Sequence, residues 1–313
     1  MVDIIGFASG VLTIYAFLEG LFPGQPDGPS ATVRVAVGLS GSEGPDGGPD
    51  GPLTSPEGSF KSIRIYNNNG EFLSASPDNV GVDDGSYSDV TLAQQNTQQA
   101  PYVQIRVGDG EIVCLAYVSV TFSDGQKRAW DGTWAQPLGL DWYYSGILVS
   151  ENDQNTGECI WMDEFVGTIF IYMPAFTGAG EDPNPDISAY TGERGFRAYT
   201  FNDAVGEIAL PTGQRKKRAV KQADTRLVIT DRPDHSAVRL CESSNSRGPS
   251  LVSLAEGMFC NMATRELLPL CVGDLTEDCF DVSTGNSGQR VASASAKETG
   301  FSSVIDWTSN AKF

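Results

Sequence analysis

Six cysteines (Cys114, Cys159, Cys241, Cys260, Cys271 and Cys279) and a single histidine, His235, carry most of the reactive side-chain chemistry a first reading can locate. A structural zinc site needs Cys or His in close pairs that present tetrahedral ligands from one turn. None of the six lies in a C-x-x-C, so no metal ligand set is expected. A reactive thiol needs a basic or histidine neighbour to lower its pKa, and that pattern is absent too. An even count in a Gly-, Asp- and Ser-rich chain fits a disulfide framework formed in an oxidising compartment. Cys114 and Cys159 fall on expected strands, where a bridge would staple two strands or two sheets. The last four allow three connectivities.

Aromatic residues concentrate between Trp130 and Trp161. Trp130, Trp134, Trp142 and Trp161 are four of the five tryptophans, and they interleave with Tyr143, Tyr144, Asp131, Asp141, Asp163 and Glu164. Sugar recognition needs flat aromatic faces for C–H stacking and polar groups for hydroxyls. A sandwich core also needs large aromatics, so both readings stand. Trp134 and Trp142, placed in loop, and Tyr143 are the candidate carbohydrate-binding residues. Paired carboxylates could act as acid and base on a glycosidic bond. In a chain with 40 acidic residues, closeness in sequence says little, and no catalytic residue is assigned.

Asp83-Asp84-Gly85 and Asp46 to Asp50 lack the spacing of an EF-hand loop. His235 follows Pro233-Asp234 and has no G-x-S-x-G to serve, so a turn or helix cap is expected there. No phosphate-cradling G-x-x-x-x-G-K-[ST] occurs, and no cofactor is expected. The tetrapeptide Arg215, Lys216, Lys217 and Arg218 is the most specific short motif. In an extended loop it suits a processing protease with acidic subsites; a nuclear-import signal or a plain solvated loop has the same composition.

The elements that must position these groups are short and β-like. Expected strands lie at Thr32–Leu39, Lys61–Tyr66, Tyr102–Val107, Ile112–Phe122, Lys127–Trp130, Ser145–Ser150, Cys159–Met162 and Thr168–Met173. Asn69-Gly70 between Tyr66 and Phe72 is a strong hairpin signal. Asp109-Gly110, Asp124-Gly125 and Asp131-Gly132 supply further turns. Such spacing makes an antiparallel β-sandwich or jelly-roll-like body over residues 31–176. Residues 177–226 are expected to be a linker holding the basic motif, and 227–313 a Cys-rich C-terminal region in which Val304–Trp307 docks back as a strand.

Residues 1–24 form an apolar helix by this reading. The run from Ile4 to Leu18 is short of the roughly 20 apolar residues of a membrane span and suits a signal segment, an anchor or an association helix. Gly6 and Gly10 give a G-x-x-x-G, a spacing that lets helices approach closely. The segment Phe22-Pro-Gly-Gln-Pro-Asp-Gly-Pro29 reads as a breaker-rich linker. The chain has 313 residues, 40% of them hydrophobic, enough for a packed core. Its formal charge of −19 repels phosphate backbones, so nucleic acid is not an expected partner. No N-x-S/T sequon is present.

Several of these segments together resemble a known group. Asp3-Ile-Ile-Gly-Phe7, Asp141-Trp-Tyr-Tyr-Ser-Gly146, Cys159-Ile-Trp-Met-Asp163, His235-Ser-Ala with Leu240-Cys241, Gly257-Met-Phe-Cys-Asn-Met262 and Val304-Ile-Asp-Trp-Thr308 occur in that order. The combination is similar to a family of proteins from filamentous ascomycete fungi that carries no activity to transfer. The chain departs from the family pattern at Pro137-Leu-Gly-Leu140 and Glu164-Phe-Val-Gly167. The resemblance implies a fungal setting.

The reading is therefore a secreted or surface-associated, non-enzymatic β protein that acts by binding or self-assembly. Its expected partners are a polysaccharide or a second copy of itself. The first alternative is membrane contact or oligomer formation through residues 4–18, and the second a glycoside hydrolase.

Overall fold

The computed structural model describes residues 20–38, 58–67, 70–134, 136, 139–147, 157–163, 166–172, 197–199, 224–272, 278–283, 286–287 and 301–308. The apolar run at 4–18, most of the Gly/Pro loop after 39 and the basic motif at 215–218 lie outside these residues. The expectations placed on them are not addressed by the fold.

Period-two alternation builds a sandwich of two antiparallel sheets. The first runs β5 (Tyr87–Ala93), β1 (Ser30–Val37), β7 (Val113–Thr121), β10 (Glu158–Met162), β9 (Trp142–Tyr144), with β8 (Lys127–Asp131) also on β7. The second runs β12 (Arg197–Tyr199), β11 (Thr168–Tyr172), β6 (Tyr102–Val107), β2 (Gly58–Tyr66), β3 (Phe72–Ala75), with β4 (Val80–Val82) on β2. Ala31, Val33, Val35, Leu92, Val118 and Val120 of one sheet and Phe60, Ile63, Ile65, Val103, Ile105 and Ile169 of the other share one core. One expectation is corrected here: residues 145–147, the described part of the strand assigned to Ser145–Ser150, are not strand, and the strand lies at Trp142–Tyr144 instead. β4 and β5 were not foreseen.

The first sheet is buried on both faces, as the unbroken burial of β1 and β7 shows. Its outer phase is polar and is covered by the segment after Gly20. Ser119 Oγ donates to the Leu21 carbonyl at 2.6 Å, and Thr121 Oγ1 to that of Pro23 at 2.7 Å. Arg34 donates to the Gly20 carbonyl, forks onto Asp89 at 2.7 and 2.8 Å, and lies 3.7 Å over the Tyr87 ring. The start of the breaker-rich stretch thus also serves as a cover whose carbonyls satisfy buried donors.

The C-terminal region forms a third, mixed sheet, ordered β16 (Glu266–Pro269), β15 (Met258–Asn261), β14 (Ser250–Ser253), β13 (Leu227–Thr230), β19 (Val304–Asp306). β13 pairs in parallel with β14 and with β19. The β13–β14 crossover is the short helix α1 (Ala237–Glu242), capped by Ser236, whose Oγ accepts from the Arg239 amide. β17 (Phe280–Asp281) and β18 (Asn286–Ser287) add a two-stranded ribbon. Val228, Leu240, Leu251, Ile305 and Trp307 belong to the same core as the sandwich. Among the described residues no helix is long and apolar enough to cross a membrane.

All six cysteines are bridged. Cys114–Cys159 joins neighbouring strands of one sheet, β7 and β10, with Cα atoms 5.2 Å apart. Cys241–Cys260 ties α1 to β15, and Cys271–Cys279 closes the connection from β16 to β17.

Gly132 opens a short 3-10 turn, Gly132–Trp134, beneath β10. A Cβ there would lie 2.4 Å from the Glu158 carbonyl oxygen and 2.8 Å from the Cys159 Cα. Both obstacles are backbone, so no rotamer change relieves them. Gly132→Ala is expected to cost about 1–3 kcal/mol or more. An unchanged thermal midpoint would contradict that packing.

Candidate functional site

The aromatic residues singled out by sequence do not form an open platform. Trp142 and Tyr143 are 0% exposed. Trp142 Nε1 donates to Ser243 Oγ at 3.0 Å, and the Tyr143 hydroxyl to the Pro249 carbonyl at 3.0 Å. Trp161 Nε1 donates to the Arg247 carbonyl at 2.9 Å. The main chain follows the same seam, with the Trp142 amide donating to Asn245 and the Arg247 amide to Trp142. These rings fasten the third sheet to the edge of the first, which rules Trp142 and Tyr143 out as sugar-stacking surfaces here. Trp134 lies in the 3-10 turn, and its side chain is outside the described part.

The nearby carboxylates are likewise engaged. Arg247 reaches Asp141 at 2.9 Å and Asp163 at 3.7 Å, and Asp131 accepts from the Thr133 amide. Glu164 lies outside the described residues. His235 closes the turn at Pro233-Asp234, its amide donating to the Arg232 carbonyl just before the N-cap Ser236, and its side chain is buried. Its Nδ1 is 2.9 Å from Thr230 Oγ1, and its ring lies 4.6 Å from that of Tyr144 and 5.4 Å from that of Trp307. Among the described residues no three His, Cys, Asp or Glu side chains gather as a metal site.

Two buried groups in this seam titrate abnormally and with opposite sign. Burial, opposed by Arg239 and reinforced by Asp131, pushes the Glu158 carboxyl up to about 7. Arg239 donates to Glu158 and Gln136 and lies 4.8 Å over Trp142, while Glu158 Oε2 has no hydrogen-bond partner. Burial lowers the His235 imidazole to about 4, with Asp234 opposing and Arg232 assisting. Folded Glu158 keeps its proton up to about pH 7, whereas the unfolded chain releases it near 4.5, so its contribution falls as pH rises through that window. Folded His235 stays neutral while the unfolded chain takes a proton below about 6.5, so its contribution falls as pH drops from 6.5 to 4. The two slopes oppose each other and flatten the wild-type profile where they overlap. Glu158→Gln is expected to remove one of them. Its stability relative to wild type should then improve by roughly 1.4 kcal/mol per pH unit between about 4.5 and 7. Parallel urea-denaturation profiles for the two proteins would contradict this.

Outside the seam, aromatic side chains also gather on the outer face of the second sheet, where Ser62 and Gln104 are buried and Arg64 and Phe72 are exposed. Strand register places its residues in rows across β3, β2, β6 and β11. One row is Phe72, Tyr66 and Tyr102; the next is Ala75, Arg64, Gln104 and Phe170; the third holds Ser62, Arg106 and Thr168. A register shift after Ile65 brings Phe72 opposite Tyr66. Phe72 is 59% exposed, and Tyr66, Tyr102 and Phe170 are half-buried. The Tyr66 ring meets that of Phe72 edge-on at 5.9 Å and that of Phe170 at 6.0 Å with a 36° tilt. The Tyr66 hydroxyl donates to Gln104 Oε1 at 2.8 Å. Rings and guanidinium groups thus share one face over the buried Gln104, with columns that repeat at the strand spacing of about 4.8 Å.

Sequence reasoning passed over these residues. The available signal was phase: Tyr66, Tyr102 and Phe170 occupy the register that alternation reserves for polar, outward side chains.

No protein-family model matches the chain, and no curated protein matches it. Among solved structures it is similar to crystal structures of two LOX variants, at 11% and 12% identity and a TM-score of 0.26 for each. The match covers 46% of this chain and only 16% of each LOX chain, and a likeness that weak carries no argument about fold or activity. What the fold itself defines is a mainly β protein of antiparallel sheets with few helices and three disulfides. Bridges of this kind suit an oxidising environment.

Proposed function

We propose that this is a non-enzymatic, extracytoplasmic binding protein that holds an extended polysaccharide on the outer face of its second sheet. One observation carries the reading: Phe72, Tyr66 and Tyr102 line up across three adjacent strands, with Phe170 and Gln104 beside them. Stacked sugar rings need such faces, and the exposed Arg64 beside them can meet their hydroxyls. Strand spacing is close to the length of one hexose in an extended chain, so a glycan crossing the strands meets one ring position per strand. The three disulfides support a location outside the cytoplasm, and the fungal setting implied by the sequence resemblance makes a cell-wall glycan the natural candidate. The hydrolase alternative is not carried forward, because Asp141 and Asp163 share the Arg247 guanidinium within the seam. Self-assembly or membrane contact through residues 4–18 concerns residues outside the described part.

Depletion from solution by insoluble chitin, β-glucan, cellulose and polyuronide gels tests the proposal. Retention by at least one polymer, reversed by its soluble oligomers, is expected. Folded protein, verified by near-UV dichroism, that stays in the supernatant with every polymer would end it.

A further inference from the structure

Resting on the reading that this face binds polysaccharide, we infer that its ligand is an anionic glycan carrying carboxylates, a polyuronide, and that Arg64 is the residue that selects it. The chain bears 40 acidic and 21 basic residues, so an exposed arginine would be expected to find an acid. Several other arginines do. Arg34 pairs with Asp89, Arg226 with Asp224, Arg239 with Glu158 and Arg247 with Asp141. Arg64 is exposed, lies on a central strand, and makes no ion pair with a described residue. The positions bordering it on this face are Ala75, Gln104, Ser62 and Tyr66, all uncharged.

Among the described residues, Asp109 and Glu71 sit at the margins of the face, and both are engaged. Asp109 accepts from Lys61 at 2.7 Å and lies 3.8 Å from Arg106 in the third row. Glu71, beside Phe72, accepts from Asn67 at 2.6 Å. The interior of the face is therefore aromatic and cationic on an otherwise acidic molecule. A planar guanidinium that matches a carboxylate with two parallel N–H donors, set among rings that stack on sugars, is complementary to a uronic acid residue within a chain. The protein's overall negative charge does not cancel this match. At physiological ionic strength the Debye length is about 8 Å, so distant acids are screened while a contact pair is not.

The test compares retention of wild type and Arg64→Gln on polygalacturonate and on a neutral β-glucan, at low salt and at about 0.2 M salt. The expected result is an approximately tenfold preference of wild type for polygalacturonate at low salt, eroded by added salt. In Arg64→Gln, retention on polygalacturonate should fall to no more than that on β-glucan, and the salt dependence should disappear with it. Methyl-esterified polygalacturonate removes the charge from the ligand instead and should be held no better than β-glucan, which keeps the test decisive should the variant fail to fold. Salt-insensitive binding with β-glucan held as well as polygalacturonate would overturn the inference while leaving the polysaccharide reading intact. Retention of neither polymer in this assay overturns the inference, and if the wider polymer panel is blank as well, the polysaccharide reading falls with it. Preferential capture of single-stranded DNA would overturn it by showing that the rings and Arg64 serve a phosphate backbone.

Discussion

Replacing Cys114 and Cys159 together by alanine is expected to lower the unfolding free energy by about 4 kcal/mol. The bridge closes a segment of 45 residues, against 19 and 8 for the other two. Loop-closure entropy in the unfolded chain grows with the logarithm of that length, which puts the shortest bridge at roughly 2.5 kcal/mol. Position adds to the effect. Both sulfurs are enclosed where β7 meets β10, next to the strand that carries Trp142 and Tyr143 into the seam. Losing the bridge therefore loosens the edge of the first sheet on which the third sheet is mounted. Urea denaturation of the paired variant, which leaves no lone thiol, gives the number directly. A cost below about 1 kcal/mol would show that packing alone fixes this edge.

The second large effect falls on binding. Tyr66→Ala with Phe170→Ala is expected to weaken polysaccharide binding about a hundredfold, from losses of roughly 1–2 kcal/mol at each aromatic anchor. Both rings lie on an outward face, so stability should change by no more than about 1 kcal/mol per ring from lost cross-strand contact. Trp142→Phe provides the contrast. It deletes the Nε1 bond to Ser243 in the seam, so it should lower stability and leave affinity unchanged. Isothermal titration beside thermal unfolding separates the two outcomes. Loss of affinity in Trp142→Phe, with full affinity in the paired platform variant, would return the site to the tryptophan cluster.

The sandwich was legible because β1, β2 and β6 alternate cleanly and β7 is a long β-rich run, and the even cysteine count anticipated full pairing. Other elements were hidden for identifiable reasons. β5 reads as polar because Asp89 lies in its outer phase, where it serves Arg34. Trp142, Tyr143 and Tyr144 are buried in succession, with the third sheet covering what would be the outer face, so no alternation marks β9 as a strand. In the C-terminal region the strands are mostly four residues or fewer, too short for periodicity to speak, and the parallel pairing of β13 with β14 depends on a helix of only six residues. Clustered tryptophans drew attention in the sequence because they are near one another along the chain. The aromatic row was missed because Phe72, Tyr102 and Phe170 come together only through cross-strand register, which composition does not encode.

Hydroxyl-radical footprinting read by mass spectrometry tests the central claim most directly, on the intact protein with and without the polysaccharide that retains it. The account predicts protection of Tyr66, Phe72, Tyr102 and Phe170, with the seam residues unreactive in both states because they are already enclosed. Reactivity at those four residues equal to that of the free protein, with protection on another surface, would contradict it.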